Sequence, residues 1–299
     1  TFIDKSENLN LNLTPYTDDG GIGWIPWVSA ADMNGDDYID FVITGDGYLS
    51  QVYYNQGNGT FTEEESLAPK IQFGNGGFST GEVYVYPADI DNDTDIDIVT
   101  LGYSENQQLI NTNEENRLFT VSSLGNAFSE GAPLGTFVKS AVIDENPVFI
   151  SMYGHAGNTP IRAHQFDENS GKLEAVDAKI FNGETMEARH PRHFAVADFN
   201  GDGFEDLFIA DHGDDFFPYP GYQNLLLMQN AAGQLINETE SRLPEQWDFT
   251  HNVTAGDIDK DGNMDVLAAH YSPPKLDLIF GKNTAPVPGI ISSTPTVAV

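Results

Sequence analysis

Short apolar runs recur along the chain, each entered from a polar segment crowded with aspartate. Phe41-Val42-Ile43 follows residues 32–40, Ile98-Val99 follows 89–97, Leu207-Phe208-Ile209 follows 198–206, and Val266-Leu267 follows 257–265. Runs of this length that do not alternate with polar residues read as strands covered on both faces. A strand is expected before each polar segment as well, at Trp27–Ala31, Val83–Ala88, Phe194–Ala197 and Asn252–Gly256. A third follows at Leu49–Asn55, Gln107–Asn111, Ile161–Phe166, Asn224–Asn230 and Lys275–Gly281. The fourth closes a hairpin, as at Arg117–Val121, Lys172–Val176 and Gln234–Glu238. The string Asn55-Gln56-Gly57-Asn58-Gly59-Thr60 is such a hairpin turn, with Gly and Asn tolerating positive φ.

The aspartate segments begin at 32, 89, 198 and 257, so their spacings are 57, 109 and 59 residues. The middle interval is nearly double, which predicts a further repeat near residue 143. There, Ala141-Val142-Ile143-Asp144-Glu145-Asn146-Pro147-Val148-Phe149-Ile150 keeps the flanking strands but has a shorter loop with too few carboxylates. Four-stranded units repeating at this period are propeller blades, each sheet hiding its faces against its neighbours. The expected fold is therefore an all-β propeller of five repeats over residues 1–285, with Thr1–Asp4 as the outer strand of the last blade. A seven-bladed ring at this period needs roughly 390 residues, so the alternative is that the chain is part of one. Residues 286–299, rich in Pro, Ser and Thr, read as a linker or a closing strand.

The polar segments themselves carry chemistry. Asp198, Asn200, Asp202 and Asp206 occupy positions 1, 3, 5 and 9 of a loop that Gly201 and Gly203 allow to curl tightly. The same positions hold Asp32, Asn34, Asp36 and Asp40; Asp89, Asp91, Asp93 and Asp97; and Asp257, Asp259, Asp261 and Asp265. Ca²⁺ takes six to eight hard oxygens at about 2.3–2.6 Å, and such a loop supplies most of them. An EF-hand would run on to a glutamate and a helix, whereas these loops run into strands. About four Ca²⁺ ions are expected, and none at the third repeat.

Charge narrows the partners. With 46 acidic against 13 basic residues, the formal charge is −33, which opposes binding to nucleic acid. The chain has no cysteine, so metal loops are the available staples. No apolar run is long enough to span a bilayer. No basic segment with an apolar core opens the sequence, and a leader peptide is expected to have been removed. Secretion or display at the cell surface, where calcium is abundant, fits these features.

The four Asp-x-[Asp/Asn]-x-Asp loops with a position-9 aspartate, together with the hairpin Tyr54-Asn55-Gln56-Gly57-Asn58-Gly59-Thr60-Phe61, resemble the FG-GAP/VCBS repeat family, the propellers related to the integrin α-subunit head. The resemblance covers about residues 1–283, and the third repeat departs from it. It implies a calcium-binding propeller in which position 7 contributes a backbone carbonyl, here at Tyr38, Asp95, Phe204 and Asn263. Members resembling this chain serve as adhesion heads, glycan-binding modules and polysaccharide lyases, so fold alone does not fix the function.

If the aspartate loops join the first and second strands at one face, the loops before the first strand and after the second gather at the other. Sorted in this way, Trp24, Trp27, Arg189, His190, Arg192, His193, Trp247 and His251 fall together with Tyr103, Tyr153, His155, His212, His270 and Tyr271. The insert 214–222 adds Tyr219. Aromatic rings with a few polar and cationic groups describe a ligand site; the competing reading is packing at strand ends, with the arginines neutralising Glu187, Asp211, Asp214 and Asp215. The candidate ligand residues are Arg189, His190, Arg192, His193, His212, Tyr219, Trp247, His251 and His270. The expected function is binding of a glycan or an extracellular protein, with no residue assigned to catalysis. The alternatives are a polysaccharide lyase built on Arg192, His193 and Tyr219, and a structural domain of a larger surface protein.

Overall fold

The computed structural model describes residues 24–46, 48–63, 84–101, 109–113, 119–123, 137–152, 157–170, 172–271, 275–281 and 291–293. The protein is an all-β propeller, and five four-stranded antiparallel sheets are seen among these residues. The chain divides into two compact units: Thr1–Pro133 with Phe166–Glu174, and Leu134–Gln165 with Ala175–Val299.

In the first unit, β1 (Trp24–Ala31), β2 (Asp40–Asp46), β3 (Tyr48–Asn55) and β4 (Phe61–Glu63) follow one another across a sheet. Strands β5 (Tyr84–Ala88), β6 (Asp97–Leu101), β7 (Leu109–Asn113) and β8 (Phe119–Ser123) form the next. Met33, Val42, Val52, Tyr54 and Ile98 make one buried cluster between these two sheets.

The third sheet takes β9 (Phe137–Ile143) and β10 (Asn146–Met152) as its inner pair. The loop between them has shrunk to Asp144-Glu145, both at positive φ (54° and 63°), the backbone of a two-residue hairpin turn. After the short β11 (Thr159–Pro160) come β12 (Arg162–Asp167) and β13 (Lys172–Ala175), which complete that sheet. Helix α1 (Asp177–Ile180) leads to β14 (Glu187–Ala188), the antiparallel partner of β11.

The fourth sheet holds β15 (Pro191–Ala197), β16 (Asp206–Asp211), β18 (Leu225–Gln229) and β19 (Leu235–Asn237). Between its strands, β17 (Tyr222–Gln223) pairs with β20 (Trp247–Asp248), which follows α2 (Thr239–Arg242). The last sheet is β21 (Thr250–Gly256), β22 (Asp265–His270), β23 (Lys275–Phe280) and β24 (Ile291–Ser293). Its outer place, expected for Thr1–Asp4, is held by β24; Thr1–Asp4 lie outside the described residues.

Strand β16 shows why the apolar runs do not alternate. All of its residues are buried. Leu207 and Ile209 point into a core shared with Ile143, Ile150 and Leu225, whereas Phe208 and Ala210 point into one shared with Val253, Val266 and Ile279. Successive side chains thus meet different neighbouring sheets, and the four positions 207–210 between the terminal aspartates are all apolar. Full burial of Phe208 alone is worth about 2–3 kcal/mol.

The shrunken third hairpin is sewn to the fourth sheet. The Nε2 group of Gln229 donates to the carbonyls of Val142 (3.0 Å) and Glu205 (2.9 Å), and the Val142 N–H donates to Glu205 Oε2 at 2.6 Å.

Candidate functional site

The four aspartate loops share one hydrogen-bond plan. The position-1 carboxylate accepts the N–H groups of positions 5 and 6: Asp36 and Asp37 on Asp32, Asp93 and Thr94 on Asp89, Asp202 and Gly203 on Asp198, Asp261 and Gly262 on Asp257. The position-5 carboxylate accepts the N–H of position 7, at Tyr38, Asp95, Phe204 and Asn263. Positions 4 and 6 have positive φ in every loop, including the non-glycine residues Asp37, Asn92, Thr94 and Lys260. The position-9 residues Asp40, Asp97, Asp206 and Asp265 are completely buried. Each accepts the N–H of position 2, at Met33, Ile90, Phe199 and Ile258. The second oxygen of Asp40, Asp206 and Asp265 accepts an N–H from the end of the third strand, at Asn55, Gln229 and Gly281.

Charge accumulates in this plan. Burial drives the Asp206 carboxyl up to about 7, against the pull of its two backbone donors and with the help of Asp202 and Asp198. Burial and neighbouring aspartates likewise raise Asp40 and Asp91. A cation is what would offset such crowding. Ligand oxygens of Asp89, Asp91 and Asp97 lie within 4.8 Å of one another, as do those of Asp257, Asp259 and Asp265. These are positions 1, 3 and 9, hard oxygen donors on a tightly curled loop, and they fit a metal such as Ca²⁺. In the loops at 32 and 198, asparagine stands at position 3, adding a neutral oxygen in place of a carboxylate.

A model of the FG-GAP-like repeat matches residues 32–100 and 198–268. The matched spans contain all four aspartate loops. These are FG-GAP-like repeats. The third repeat, with its two-residue turn, lies outside both matches. A search of curated proteins finds no match to the chain.

At the other end of the FG-GAP-like blades the second unit gathers imidazoles and aromatic rings. Ring centroids of His190 and His212 are 4.0 Å apart, those of His212 and His251 are 5.0 Å, and Phe249 lies 4.3 Å from His212. Tyr219 and Tyr271 close the cluster, 5.1 Å from Phe249 and 5.3 Å from His251. Asp211 organises it from β16: buried, it accepts N–H groups from Arg189, His190 and Gly213. Gly221 has φ +76°, and a side chain there would collide with the backbone of Asp248, so the insert needs glycine to lie down on β20.

His212 is wholly buried, and neither ring nitrogen has a hydrogen-bond partner. Burial, then the neighbouring His190, Arg192 and His251, pushes it down to about 3. Burial and Arg192 also lower His251. Both rings are therefore neutral at physiological pH, offering one donor and one acceptor each. Nε of Arg192 and Nε2 of His251 are also buried without partners.

The other candidates have different surroundings. Arg189 is committed to a bidentate pair with Asp214, at 2.9 and 3.0 Å, as charge neutralisation would have it. Arg192 holds Asp215 loosely at 3.6 Å. His193 turns to the inner strands, its Nδ1 lying 3.0 Å from the Val253 carbonyl and its charge neighbour being Lys139. His270 belongs to a polar knot, with Nδ1 3.1 Å from Thr250 Oγ1 and Nε2 3.2 Å from Asp277. Asp248, His270 and Asp277 are close enough to hold a metal, but Lys275 Nζ already sits 2.7 Å from Asp248 and 3.0 Å from Asp277 as an internal cation. Trp247 lies tilted against Tyr222, ring centroids 5.5 Å apart. Tyr103, Tyr153 and His155 lie outside the described residues, as do the side chains of Trp24 and Trp27. Sequence reasoning missed the organising role of Asp211 and the Tyr222 platform; neither recurs in the other repeats, so periodicity gave no signal for them.

Proposed function

We propose that the protein is a secreted or cell-surface binding module, held together by about four calcium ions, which takes up a glycan at its histidine–aromatic end. The observation that carries the reading is His212. A buried imidazole with neither nitrogen satisfied costs on the order of 1–3 kcal/mol, and the unpartnered Nε of Arg192 and Nε2 of His251 stand beside it. Sugar hydroxyls both donate and accept, so they match two neutral imidazoles, and aromatic rings such as Tyr219 and Tyr271 suit the flat face of a pyranose. The loops at positions 1, 3, 5 and 9 belong to a calcium-rich exterior, where open aspartate sites fill.

The test is a glycan array probed with the calcium-loaded protein and with the double variant Arg192→Ala/His251→Ala. Loss of a saturable signal in the variant, with its melting temperature kept, is expected. Equal binding by both proteins, or no saturable binding by either, would overturn the reading.

Polysaccharide lysis is a second reading, favoured by the neutral imidazole of His251 beside the Arg192 guanidinium. The base would remove the proton next to a uronate carboxylate held by the arginine, and the bond to the neighbouring sugar would break. His193, packed against Val253, is not the base in this version. Incubation with acidic polysaccharides, followed by the absorbance of the unsaturated uronate, separates lysis from simple binding.

A further inference from the structure

A second concavity lies on the β17–β20 ribbon and α2; of the candidate ligand residues it takes Trp247, which is not among the rings of the histidine–aromatic cluster. It is a cleft of about 450 Å³ lined by Gln223, Thr239, Glu240, Leu243, Glu245 and Trp247. The volume lies in the range of small-molecule sites. Its wall is an indole that is 58 % exposed, an unusual state for the largest apolar side chain. The indole is also held still. Register pairs Trp247 with Gln223 and Asp248 with Tyr222, and the Tyr222 ring lies against it at 5.5 Å. Gln223 is spent on that scaffold, accepting from the Gln246 N–H at 2.8 Å and donating to the carbonyls of Asn224 and Pro244 at 3.3 Å.

What the cleft offers a ligand is one-sided. Glu240 and Glu245 have no hydrogen-bond or ion-pair partner among the described residues. The nearby bases are occupied: Arg242 pairs with Glu238 within the helix, and Lys275 with Asp248 and Asp277. Two unneutralised carboxylates beside a flat π-face present acceptors and negative potential, and they repel any ligand that carries its own acid group. An organic cation over an indole face gains electrostatically from the ring quadrupole. A single ammonium would leave most of the cleft unfilled, whereas a pyranose ring covers the indole and turns its hydroxyls, as donors, toward the carboxylates.

We propose that this cleft is a second binding site, specific for a cationic amino sugar, with the ring stacked on Trp247 and its ammonium and hydroxyls held by Glu240 and Glu245. The site does not depend on the glycan reading of the histidine–aromatic end, since none of its residues belongs to that cluster.

Calorimetry on the calcium-loaded full chain tests it with four probes: a glucosamine tetramer, its fully N-acetylated counterpart, tetragalacturonate and tetralysine. The glucosamine tetramer should bind best and the acetylated one more weakly, with no heat from tetragalacturonate that depends on Trp247. Trp247→Ala should weaken the glucosamine tetramer roughly tenfold or more, as loss of a cation–π face does. Glu240→Gln/Glu245→Gln should erase the preference for the amine over the acetamide while preserving some binding of both. The heat that depends on Trp247 is read in titrations with and without Trp247→Ala, and any other heat belongs to the first site, which separates failure here from failure of the first reading. Equal affinity of wild type and Trp247→Ala, or measurable uptake of tetragalacturonate that depends on Trp247, overturns the proposal. Tighter binding of tetralysine than of the glucosamine tetramer overturns it too, in favour of a basic protein segment.

Discussion

Asparagine at position 5 of an aspartate loop should cost stability only in calcium, whereas asparagine at position 9 of the same loop should cost it in chelator as well. Asp206 is completely buried and accepts two backbone N–H groups, from Phe199 at 2.9 Å and Gln229 at 2.8 Å. In Asp206→Asn one oxygen becomes an NH₂ group facing one of those donors. A charge-assisted bond is lost and an N–H is left buried, a cost of about 2–4 kcal/mol in chelator, and in calcium a metal ligand is weakened besides. For a chain of this size that corresponds to a fall in melting temperature of about 5–10 °C. Asp202 is exposed; the bond from the Phe204 N–H to Oδ1 survives in asparagine, and only the exposed bond from Asn200 Nδ2 to Oδ2 is lost. Asp202→Asn should therefore be close to neutral in chelator. With calcium at a hundredfold excess over Kd, binding stabilises the fold by about 2.7 kcal/mol per site. A variant whose Kd is a hundredfold weaker keeps only about 0.4 kcal/mol of that, so Asp202→Asn should lose about 5 °C in calcium alone. Melting curves of the wild type and both variants, each in calcium and in chelator, give the answer. Equal losses for Asp202→Asn in the two buffers would mean the loop holds no metal. An Asp206→Asn protein that melts like wild type in chelator would refute the role of the buried carboxylate as a clamp.

Removal of calcium by chelator should lower the melting temperature of the wild type by more than about 10 °C, since four sites are emptied at once; metal analysis after dialysis into calcium should find about four equivalents, a number Asp144→Asn leaves unchanged. Thr94 is β-branched at φ 81°, so Thr94→Gly should stabilise the protein by about 1 kcal/mol in urea unfolding. Burial and the Arg162 charge push the buried His164 down to about 4. The unfolded chain then takes up the extra proton first: the stability is fully present above pH 6.5 and is lost as the pH falls from there toward 4. The loss reaches about 3 kcal/mol at its largest, and His164→Gln should flatten that part of the pH–stability curve.

Much of the fold was legible because the repeat states it several times. Apolar runs such as 207–210 show that both sheet faces are covered, and position-9 aspartates mark where each second strand begins. Even the hairpin at Asp144-Glu145 was visible as an interruption of the period. The two-residue ribbons and the helices α1 and α2 were not: each occurs once, is shorter than a periodic pattern, and is fixed by contacts such as those of Gln223 with Pro244 and Gln246. At the candidate ligand end, the loop assignment brought His190, His212 and His251 to one place. It could not tell that neighbouring residues on a strand part company. A register irregularity lies between Pro191 and His193, and His193 goes to Val253 while Arg192 stays among the imidazoles.

The stitch from Gln229 and Glu205 to Val142 ties the hairpin without aspartates to a loop that has them. Glu205 occupies position 8, immediately before the buried clamp Asp206, so whatever steadies that loop also steadies the amide that Glu205 holds. The third hairpin then borrows its rigidity. Amide exchange at Val142 becomes a remote gauge of residues 198–206: slow when the loop is filled, faster when it is stripped, although no metal ligand lies on that hairpin. A substitution at Glu205 would remove the direct bond to Val142 and leave only the Gln229 amide bridging the two, so the hairpin would answer less to the loop.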